Sequence, residues 1–280
     1  AAFELGVPWR SLQGQLIQVG HGSRARWLSS SWTDRTPVLA SNLARNKYAA
    51  ADLLRKGGVP VPDHYLAVDA DEAVEYAEEF GYPVVVKPAD LDGGAGVKAG
   101  LDSAQAVRAA FDAARALSSL VLVERHVPGR DFRVQVVQGE VQGVLERVPG
   151  GVVGNGQDTV QALLERQNEE RRTAQDDRRY LYAMDLDDEA RKMLAAQGLA
   201  ADSVPAAGRA VRLRSASNVA SGGTPVEIAL AQVHADNLRL AVRAARVLRL
   251  DVAGIDLLIP NIGRSWLETG AHICEVNAMP

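Results

Sequence analysis

A change of pattern near Pro128 and Gly129 constrains the fold of this chain most strongly. Before it, short apolar segments of strand length alternate with segments of helical spacing, which is typical of helices packed on a sheet. After it come two long β-type segments, Phe132 to Val137 and Val141 to Val148, joined by a glycine-containing turn. That pair predicts an antiparallel hairpin. The chain is therefore predicted to have two lobes: an α/β lobe before this change, and a second lobe that begins with the hairpin.

Periodicity and turn residues predict the other elements. The predicted strands span residues 15–19, 25–28, 65–68, 83–88, 120–123, 211–213, 252–259 and 272–276, and a further strand is predicted near Val97. The predicted helices span residues 42–56, 71–80, 103–117 and 233–248, with a polar and mainly helical region at 159–198. The segment 215–225 has the composition of a loop.

Composition and charge exclude several classes of protein. Apolar residues make up 47% and charged residues 24% of the chain, which is ordinary for a globular domain. The net charge is −4, and the arginine-rich stretch 166–179 is interleaved with acids, so it is interpreted as a solvated surface and no nucleic-acid partner is expected. A single cysteine, together with the lack of a signal peptide or a long apolar run, predicts a cytoplasmic protein without a membrane partner.

Three oxygen-bearing side chains lie on the last two predicted strands: Asp256 on the first, and Glu275 and Asn277 on the second. Glu275 and Asn277 project from one face because strand side chains alternate. Carboxylate and amide oxygens suit magnesium, which is usually shared with substrate phosphates. The alternative is that Asp256 caps a turn while the other two line a solvent-facing strand. On spacing alone both interpretations stay open.

A lysine and a glycine loop follow the strand at 83–88. Lys87 ends an apolar run and needs an anionic partner if it is buried. The loop at 92–96 contains Gly93, Gly94 and Gly96. Because glycine has no side chain, the backbone N–H groups of these residues can approach phosphate oxygens closely. The pair favours phosphate binding. A hairpin turn beside a lysine that extends toward solvent is the alternative.

Other reactive side chains offer less. The five histidines show no metal-ligand spacing, and His126 is interpreted as a packing or surface residue. Cys274 is predicted to be an inert core residue. The segment 122–127 passes from a buried strand toward the second lobe, where it serves either as an ordinary linker or as a hinge against a nucleotide base. No catalytic triad is suggested.

The motifs taken together resemble the ATP-grasp superfamily. Their order and spacing match over nearly the whole chain, and within the superfamily they are most similar to the ATP-grasp domains of the cyanophycin synthetase and bifunctional glutathione synthetase families. Two departures stand out: Asn46 replaces the usual Asp, and Ala220 and Ser221 replace Ser and Thr. The matching segments are 46–47, 83–88, 92–96, 123–125, 129–133, 218–223, 254–256 and 275–277, with 18–22 and 155–156 fitting as well.

The resemblance implies two α+β lobes that hold ATP between them. It implies a lead-in segment at 1–40, a small lobe at 41–124 and a large lobe with a magnesium site at 125–280. The implied roles are phosphate binding by two lysines, a glycine flap over the phosphates, a hinge along the adenine and an acid on the ribose. Lys47 and Lys87 match the two lysines, and Gly93, Gly94 and Gly96 match the flap. Glu124, Arg125 and Val127 match the adenine hinge, and Asp131 matches the acid on the ribose.

The resemblance also implies the residues that carry the reaction. Arg214 matches an arginine that steadies the transferred phosphoryl group, and Arg133 is a candidate for holding a substrate carboxylate. Asn218, Gly222 and Gly223 match a loop near the acyl phosphate. The implied Mg²⁺ ligands are Asp256, Glu275 and Asn277.

The expected activity is that of an ATP-dependent carboxylate–amine ligase, which forms an acyl phosphate and then an amide. The expected substrates are an amino acid and a peptide or second amino acid, and the chain is expected to be part of a longer multidomain protein. Its oligomeric state is left open. Two alternatives remain: a kinase on the same fold, and a partner subunit that binds ATP without turnover.

Overall fold

A computed structural model describes residues 4–91, 93–175 and 181–280. Its contacts divide the chain into two compact units: Ala1–Val144 with Ile228–Pro280, and Leu145–Glu227. We call them the first and second unit and describe each by itself. This division does not coincide with the lobe boundary expected after residue 124, which stays a prediction. No helix in the described ranges is long and apolar enough to cross a membrane.

Strands and helices alternate unevenly along the chain. The strands are β1 (Trp9–Ser11), β2 (Leu16–Val19), β3 (Arg26–Ser29), β4 (Trp32–Thr33), β5 (His64–Ala67), β6 (Val84–Pro88), β7 (Lys98–Leu101), β8 (Val121–Arg125), β9 (Arg130–Val137), β10 (Glu140–Val148), β11 (Gly151–Val153), β12 (Ala210–Arg212), β13 (Thr224–Ile228), β14 (Val252–Ile259) and β15 (His272–Asn277). The helices are α1 (Val38–Arg45), α2 (Lys47–Lys56), α3 (Ala70–Phe80), α4 (Ala104–Arg115), α5 (Val160–Thr173), α6 (Asp188–Ala196), α7 (Ala235–Val247) and α8 (Trp266–Thr269).

The first unit contains a four-stranded sheet of order β5-β8-β6-β7, in which neighbouring strands are all antiparallel. Helices α3 and α4 start at side-chain caps from Asp69 and Ser103 and bury their alanine-rich faces against it. Val86 and Val123 in the central strands are fully buried. In β6 and β8 the apolar run is followed by a charged residue, Lys87 and Glu124 respectively. The two charged side chains therefore lie near the ends of the central strands.

A five-stranded sheet of order β13-β10-β9-β14-β15 forms the second core of the first unit. The division between the units falls within β10 and β13. The long strands β9 and β14 pair antiparallel over their whole lengths, and α7 packs its buried face on this sheet. The predicted hairpin is confirmed: Gln138 and Gly139 both adopt positive φ, 53° and 80°, as the tight turn between β9 and β10 requires.

The chain before α1 forms a small sheet of order β1-β2-β3-β4. The two strands predicted there are confirmed as β2 and β3. Most other predicted strands and helices are confirmed to within two or three residues at their ends, because clear periodicity marks where they lie.

One predicted helix is wrong. The helical pattern from residue 42 to 56 belongs to two helices, α1 and α2, separated at Asn46. Asn46 has an extended conformation, and its side-chain oxygen accepts a hydrogen bond from the N–H of Ala49, 3.0 Å away. An N-cap in this conformation interrupts the helix that apolar spacing alone suggests. The break also makes Lys47 the first residue of α2.

The second unit has its own core, built from the β11–β12 pair and helices α5 and α6. The segment predicted as a loop at 215–225 contains a 3-10 helix, Val219–Ser221, and the start of β13. The arginine-rich stretch is only partly the solvated surface that was expected. Arg172 is exposed and pairs with Glu169, whereas the neighbouring Arg171 is 5% exposed. Residues 176–180 of this stretch lie outside the described residues.

We expect Asn46→Ala to lower the free energy of unfolding by about 1 kcal/mol, because the Ala49 N–H loses its acceptor. Asn46→Asp keeps an acceptor oxygen and is the matched control. Urea unfolding followed by circular dichroism measures both variants. Equal stability of Asn46→Ala and the unchanged protein would show that the cap does not contribute.

Candidate functional site

Three neighbouring strands place charged side chains in one row. The register pairs Asp256 of β14 with Arg133 of β9 on one side and with Glu275 of β15 on the other. Residues directly opposite each other in antiparallel strands project from the same face. The sheet therefore sets a cation, an anion and a second anion side by side.

Asp256 is the most deeply buried member of the row, with 2% of its surface exposed. Arg133 donates to both of its carboxylate oxygens, from Nε to Oδ1 and from Nη2 to Oδ2, the latter at 3.2 Å. A buried carboxylate needs such charge-assisted hydrogen bonds. The planar fork of Arg133, predicted to hold a substrate carboxylate, here holds that of Asp256. Its role toward a substrate stays a prediction.

Glu275 is joined to helix α2. The Lys47 Nζ lies 3.1 Å from a carboxylate oxygen of Glu275 and also donates to the carbonyl of Leu91 at the edge of the glycine loop. The N–H of Lys47 donates to the carbonyl of Ala89 at 2.9 Å. One lysine thus links α2, β15 and the segment after β6, and its side chain is 9% exposed.

Lys87 and Glu124 form a second buried ion pair. Their strands β6 and β8 are neighbours, Nζ and Oε2 are 2.9 Å apart, and each side chain is 9% exposed. Burial lowers the pKa of Lys87, but the charge and hydrogen bond of Glu124, together with Cys274 and Glu275, outweigh burial and raise the pKa above its usual value. Lys87 therefore remains a cation at neutral pH, as phosphate binding would require.

An irregularity in β15 moves Cys274 out of the apolar core. The register with β14 shifts between Asp256 and Leu257, so Glu275 opposes Asp256 while Ile273 opposes Leu257. The thiol then lies near charged groups: burial, then Asp256 and Asp131, raise its pKa well above the ordinary value. The raised pKa agrees with the predicted inertness of the thiol, whereas its charged surroundings were not predicted, because strict alternation cannot anticipate a β-bulge.

Asn277 lies two residues beyond Glu275 and directly opposite Gly254. Its Nδ2 is buried and has no hydrogen-bond partner among the described residues. Two carboxylates and an amide are donors of the kind that magnesium takes in proteins. No cluster of three or more His, Cys, Asp or Glu in the described ranges is arranged to hold a metal, and the predicted set has only two such residues. The residues present fit a magnesium ion that has few protein ligands.

The glycine loop adopts a backbone that favours glycine. Gly93, Gly94 and Gly96 have φ of 70°, 81° and 70°. A Cβ at Gly96 would lie 2.9 Å from a methyl of Leu117, whereas Gly93 has open space around it. Left-handed backbone of this kind is adopted most readily by glycine, and the open space beside Gly93 leaves room for a ligand at that point of the loop. Asp92, the first residue of the predicted loop, lies outside the described residues.

The predicted hinge residues lie at the end of β8 and just after it: Glu124 and Arg125 are its last two residues, and Val127 follows. Arg125 pairs with Asp63 at 3.2 Å and donates to the carbonyl of Phe80 at 2.6 Å, so its side chain fastens the end of β8 to the neighbouring strand and helix. Val127 and Asp131 are half-buried. Asp131 lies on β9, opposite Leu258 of β14.

The remaining predicted residues belong to the second unit. Arg214 is 7% exposed and donates to Asp187 at 2.9 Å and to the carbonyl of Asp185 at 3.1 Å. Gly222 has φ 91°, and a Cβ there would lie 2.2 Å from Cγ of Met184. Gly223 donates to the carbonyl of Asn218 at 3.0 Å. The predicted residues therefore form two sets, one in each unit.

Two residues shape the site although the sequence motifs assign them no role: Asp187 and Gly254. Asp187, which holds Arg214, precedes a helical segment and has the signature of an N-cap, so its position was detectable although its partner was not. Gly254 leaves space for Arg133: a Cβ there would lie 3.0 Å from both Cδ and Nη1 of that residue. Only the strand register reveals this approach.

We expect Gly254→Ala to lower the free energy of unfolding by about 1–3 kcal/mol, because its methyl group would meet Arg133 and the Cβ of Pro280, the latter at 2.7 Å. The matched control is Gly143→Ala in β10, where an added Cβ meets nothing within 4 Å. Urea unfolding of the two variants makes the comparison. Equal stability of both would contradict the close packing of Arg133 against Gly254.

The residues 39–147 match the family model described as "ATP-grasp domain". Among curated proteins, the chain is 38% identical to a cyanophycin synthetase of Trichormus variabilis over 98% of its own length and 31% of that protein's. It is 26% identical to the glutathione biosynthesis bifunctional protein of Clostridium perfringens, over 94% of this chain and 34% of that one. The chain thus spans about a third of the length of these relatives.

Two solved structures resemble the whole chain or most of it. A bifunctional glutathione synthetase from Pasteurella multocida aligns with a TM-score of 0.68 and 25% identity, over 100% of this chain and 38% of that one. A D-alanine–D-alanine ligase from Bacillus anthracis aligns with a TM-score of 0.54 and 15% identity, over 88% and 60% of the two chains, which shows the fold alone. With the ordered motifs and the charged row on β9, β14 and β15, these likenesses identify residues 39–147 as an ATP-grasp domain and give the chain the ATP-grasp fold.

Proposed function

We propose that this chain supplies the ATP-binding and phosphoryl-transfer machinery of a magnesium-dependent carboxylate–amine ligase. The relatives named as synthetases and ligases support the reaction class. Because the chain spans only 31% of the cyanophycin synthetase, the activity of the whole protein is part of the proposal. So are the two lobes at 41–124 and 125–280 with ATP between them, and a cytoplasmic location.

One observation carries the proposal: the charged row pairs each carboxylate with a cation from another element. Asp256 has Arg133, and Glu275 has Lys47. Burying charges is costly, and apolar residues of similar size usually give a more stable fold. A site that must receive a metal ion and a polyphosphate explains why the carboxylates and the lysines are retained together.

Asp256, Glu275 and Asn277 would hold the magnesium, which supplies charge stabilisation to the phosphates when it is bound. Lys47 and Lys87 would bind phosphate oxygens, and the amides of the glycine loop would cover them. Arg133 keeps the Asp256 carboxylate oriented through hydrogen bonds to both of its oxygens. Arg125, Val127 and Asp131 would border the adenosine.

In the proposed reaction an oxygen of the substrate carboxylate attacks the γ-phosphorus of ATP. The bond from that phosphorus to the β–γ bridging oxygen breaks, and ADP leaves. The nitrogen of the amine then attacks the acyl carbon, the bond from that carbon to the phosphate oxygen breaks, and the amine gives up a proton. Positioning and charge stabilisation account for such a reaction, so no enzyme nucleophile is needed.

The second unit would contribute the residues near the transferred group. Arg214 would steady the phosphoryl group, and the loop from Asn218 to Gly223 would lie near the acyl phosphate. The names of the relatives, cyanophycin synthetase and a glutathione biosynthesis protein, favour an amino acid and a peptide or second amino acid as substrates.

The experiment is to incubate the full-length protein with Mg-ATP and a panel of amino acids and dipeptides, and to follow products by mass spectrometry. An amide formed together with ADP and phosphate supports the ligase. A phosphorylated substrate without amide would instead identify a kinase. ATP binding without turnover of any panel member would contradict the proposal.

We expect Glu275→Gln to abolish turnover, with kcat reduced by a factor of roughly 1,000 or more. The change removes the negative charge of a residue that would bind magnesium and that pairs with Lys47. The matched control is Glu268→Gln, the same change at an exposed glutamate that pairs with Arg264. ADP release by a coupled assay measures both. Full activity of Glu275→Gln in a folded protein would refute the metal role.

A further inference from the structure

We propose that Arg171 is a positioning residue that fixes the loop from Asn218 to Gly223. This inference rests on the proposed function, because that loop is the one expected near the acyl phosphate. Arg171 belongs to α5, and all of its observed partners lie in the second unit. No role for this residue follows from the motifs of the sequence.

The guanidinium of Arg171 is buried and joins two separate segments. It donates from Nη1 to the carbonyl of Tyr182, and from Nη2 to the carbonyl of Gly222 and the hydroxyl of Thr224, both at 3.2 Å. Its residue is 5% exposed. Gly222 and Thr224 flank the carboxyl end of the loop, so this side chain holds the loop where it turns into β13.

A second residue of α5, Asn168, supports the same loop through Met184. Asn168 donates to the carbonyl of Met184 at 2.7 Å and accepts from its N–H at 2.9 Å. The side chain of Met184 occupies the space that a Cβ of Gly222 would need, with its Cγ 2.2 Å from that position. Asn168 and Arg171 lie on successive turns of one helix face. Helix α5 therefore fixes both the backbone of Gly222 and the side chain that packs on it.

The chemistry of this site is unusual for a purely stabilising contact. The partners of Arg171 among the described residues are carbonyl and hydroxyl oxygens, with no carboxylate to balance its charge. Burial accordingly lowers its pKa. A buried cation without a counter-ion is costly, and an apolar side chain would fill the space more cheaply. The planar fork offers instead several donors in fixed directions, which a loop of defined shape requires.

The consequence for the reaction is a division of tasks. The predicted nucleotide-contacting residues lie in the first unit, whereas Arg171 and the loop lie in the second. Loss of Arg171 should therefore affect the step that uses the acyl phosphate more than the binding of ATP. A misplacement of about 1 Å at such a loop reduces catalysis by roughly 100-fold.

Hydrogen exchange tests the loop directly and needs no substrate. The amides of Gly222 and Gly223 donate to the carbonyls of Val219 and Asn218 at 2.9 and 3.0 Å, so exchange in a peptide spanning 216–224 reports on the loop. In full-length Arg171→Met we expect this exchange to be about tenfold faster. A peptide from β14 should exchange at its original rate.

The matched control is Arg172→Met, the same change one residue along α5, where the side chain is exposed and pairs with Glu169. It should leave exchange in the loop unchanged. Two milder variants protect the test if Arg171→Met does not fold. Arg171→Lys offers a single ammonium in place of the fork, and Thr224→Val removes one of three acceptors; both should give smaller increases confined to the loop.

Kinetics provide the second readout. For Arg171→Met we expect kcat for amide formation to fall by roughly 100-fold while KM for ATP stays within about twofold. Unchanged loop exchange in a folded variant, or an equal increase throughout the protein, would overturn the positioning role. If the loop loosens but the unchanged protein makes no amide, the proposed function fails while the positioning role stands.

Discussion

The bidentate pairing of Arg133 with Asp256 is the interaction on which the candidate site depends. Asp256 lies in the middle of a sheet with almost no contact with solvent, and Arg133 of the adjacent strand donates a hydrogen bond to each oxygen of its carboxylate. Gly254 leaves the room that the arginine needs. Once Asp256 is fixed, the register of β14 with β15 places Glu275 beside it, and Lys47 reaches Glu275 from helix α2.

The same logic of paired charges recurs wherever the chain places a predicted functional residue in a buried position. Lys87 has Glu124, and in the second unit Arg214 has Asp187. In each pair the opposite charge offsets the cost of removing the functional group from water. The functional group can therefore stay charged in a poorly solvated position. Arg171 departs from this rule, since its partners in the described ranges are neutral oxygens. This difference agrees with the two proposed roles: Arg171 holds a backbone segment in place, whereas the paired residues would meet a charged ligand.

Much of this was predictable from the sequence, for physical reasons. Long periodic segments such as β14 and the β9–β10 hairpin are specified locally, so their positions were predicted almost to the residue. Interruptions were not: the cap at Asn46 splits a helix, and the bulge beside Cys274 turns a thiol toward charged groups. The ordered motifs identified the charged residues, yet their partners depend on strand register and tertiary packing. Arg171 looked like surface because its neighbours along the chain are exposed and charged.

In the proposed reaction a substrate carboxylate becomes an acyl phosphate in this site, and the fate of the carboxylate oxygens reveals whether it does. The full-length protein is given Mg-ATP, the amine and the carboxylate substrate labelled with ¹⁸O in both carboxyl oxygens. We expect each amide formed to be accompanied by one phosphate carrying a single ¹⁸O, because the attacking oxygen leaves with the phosphoryl group. Unlabelled phosphate, or label found in AMP instead, would contradict it.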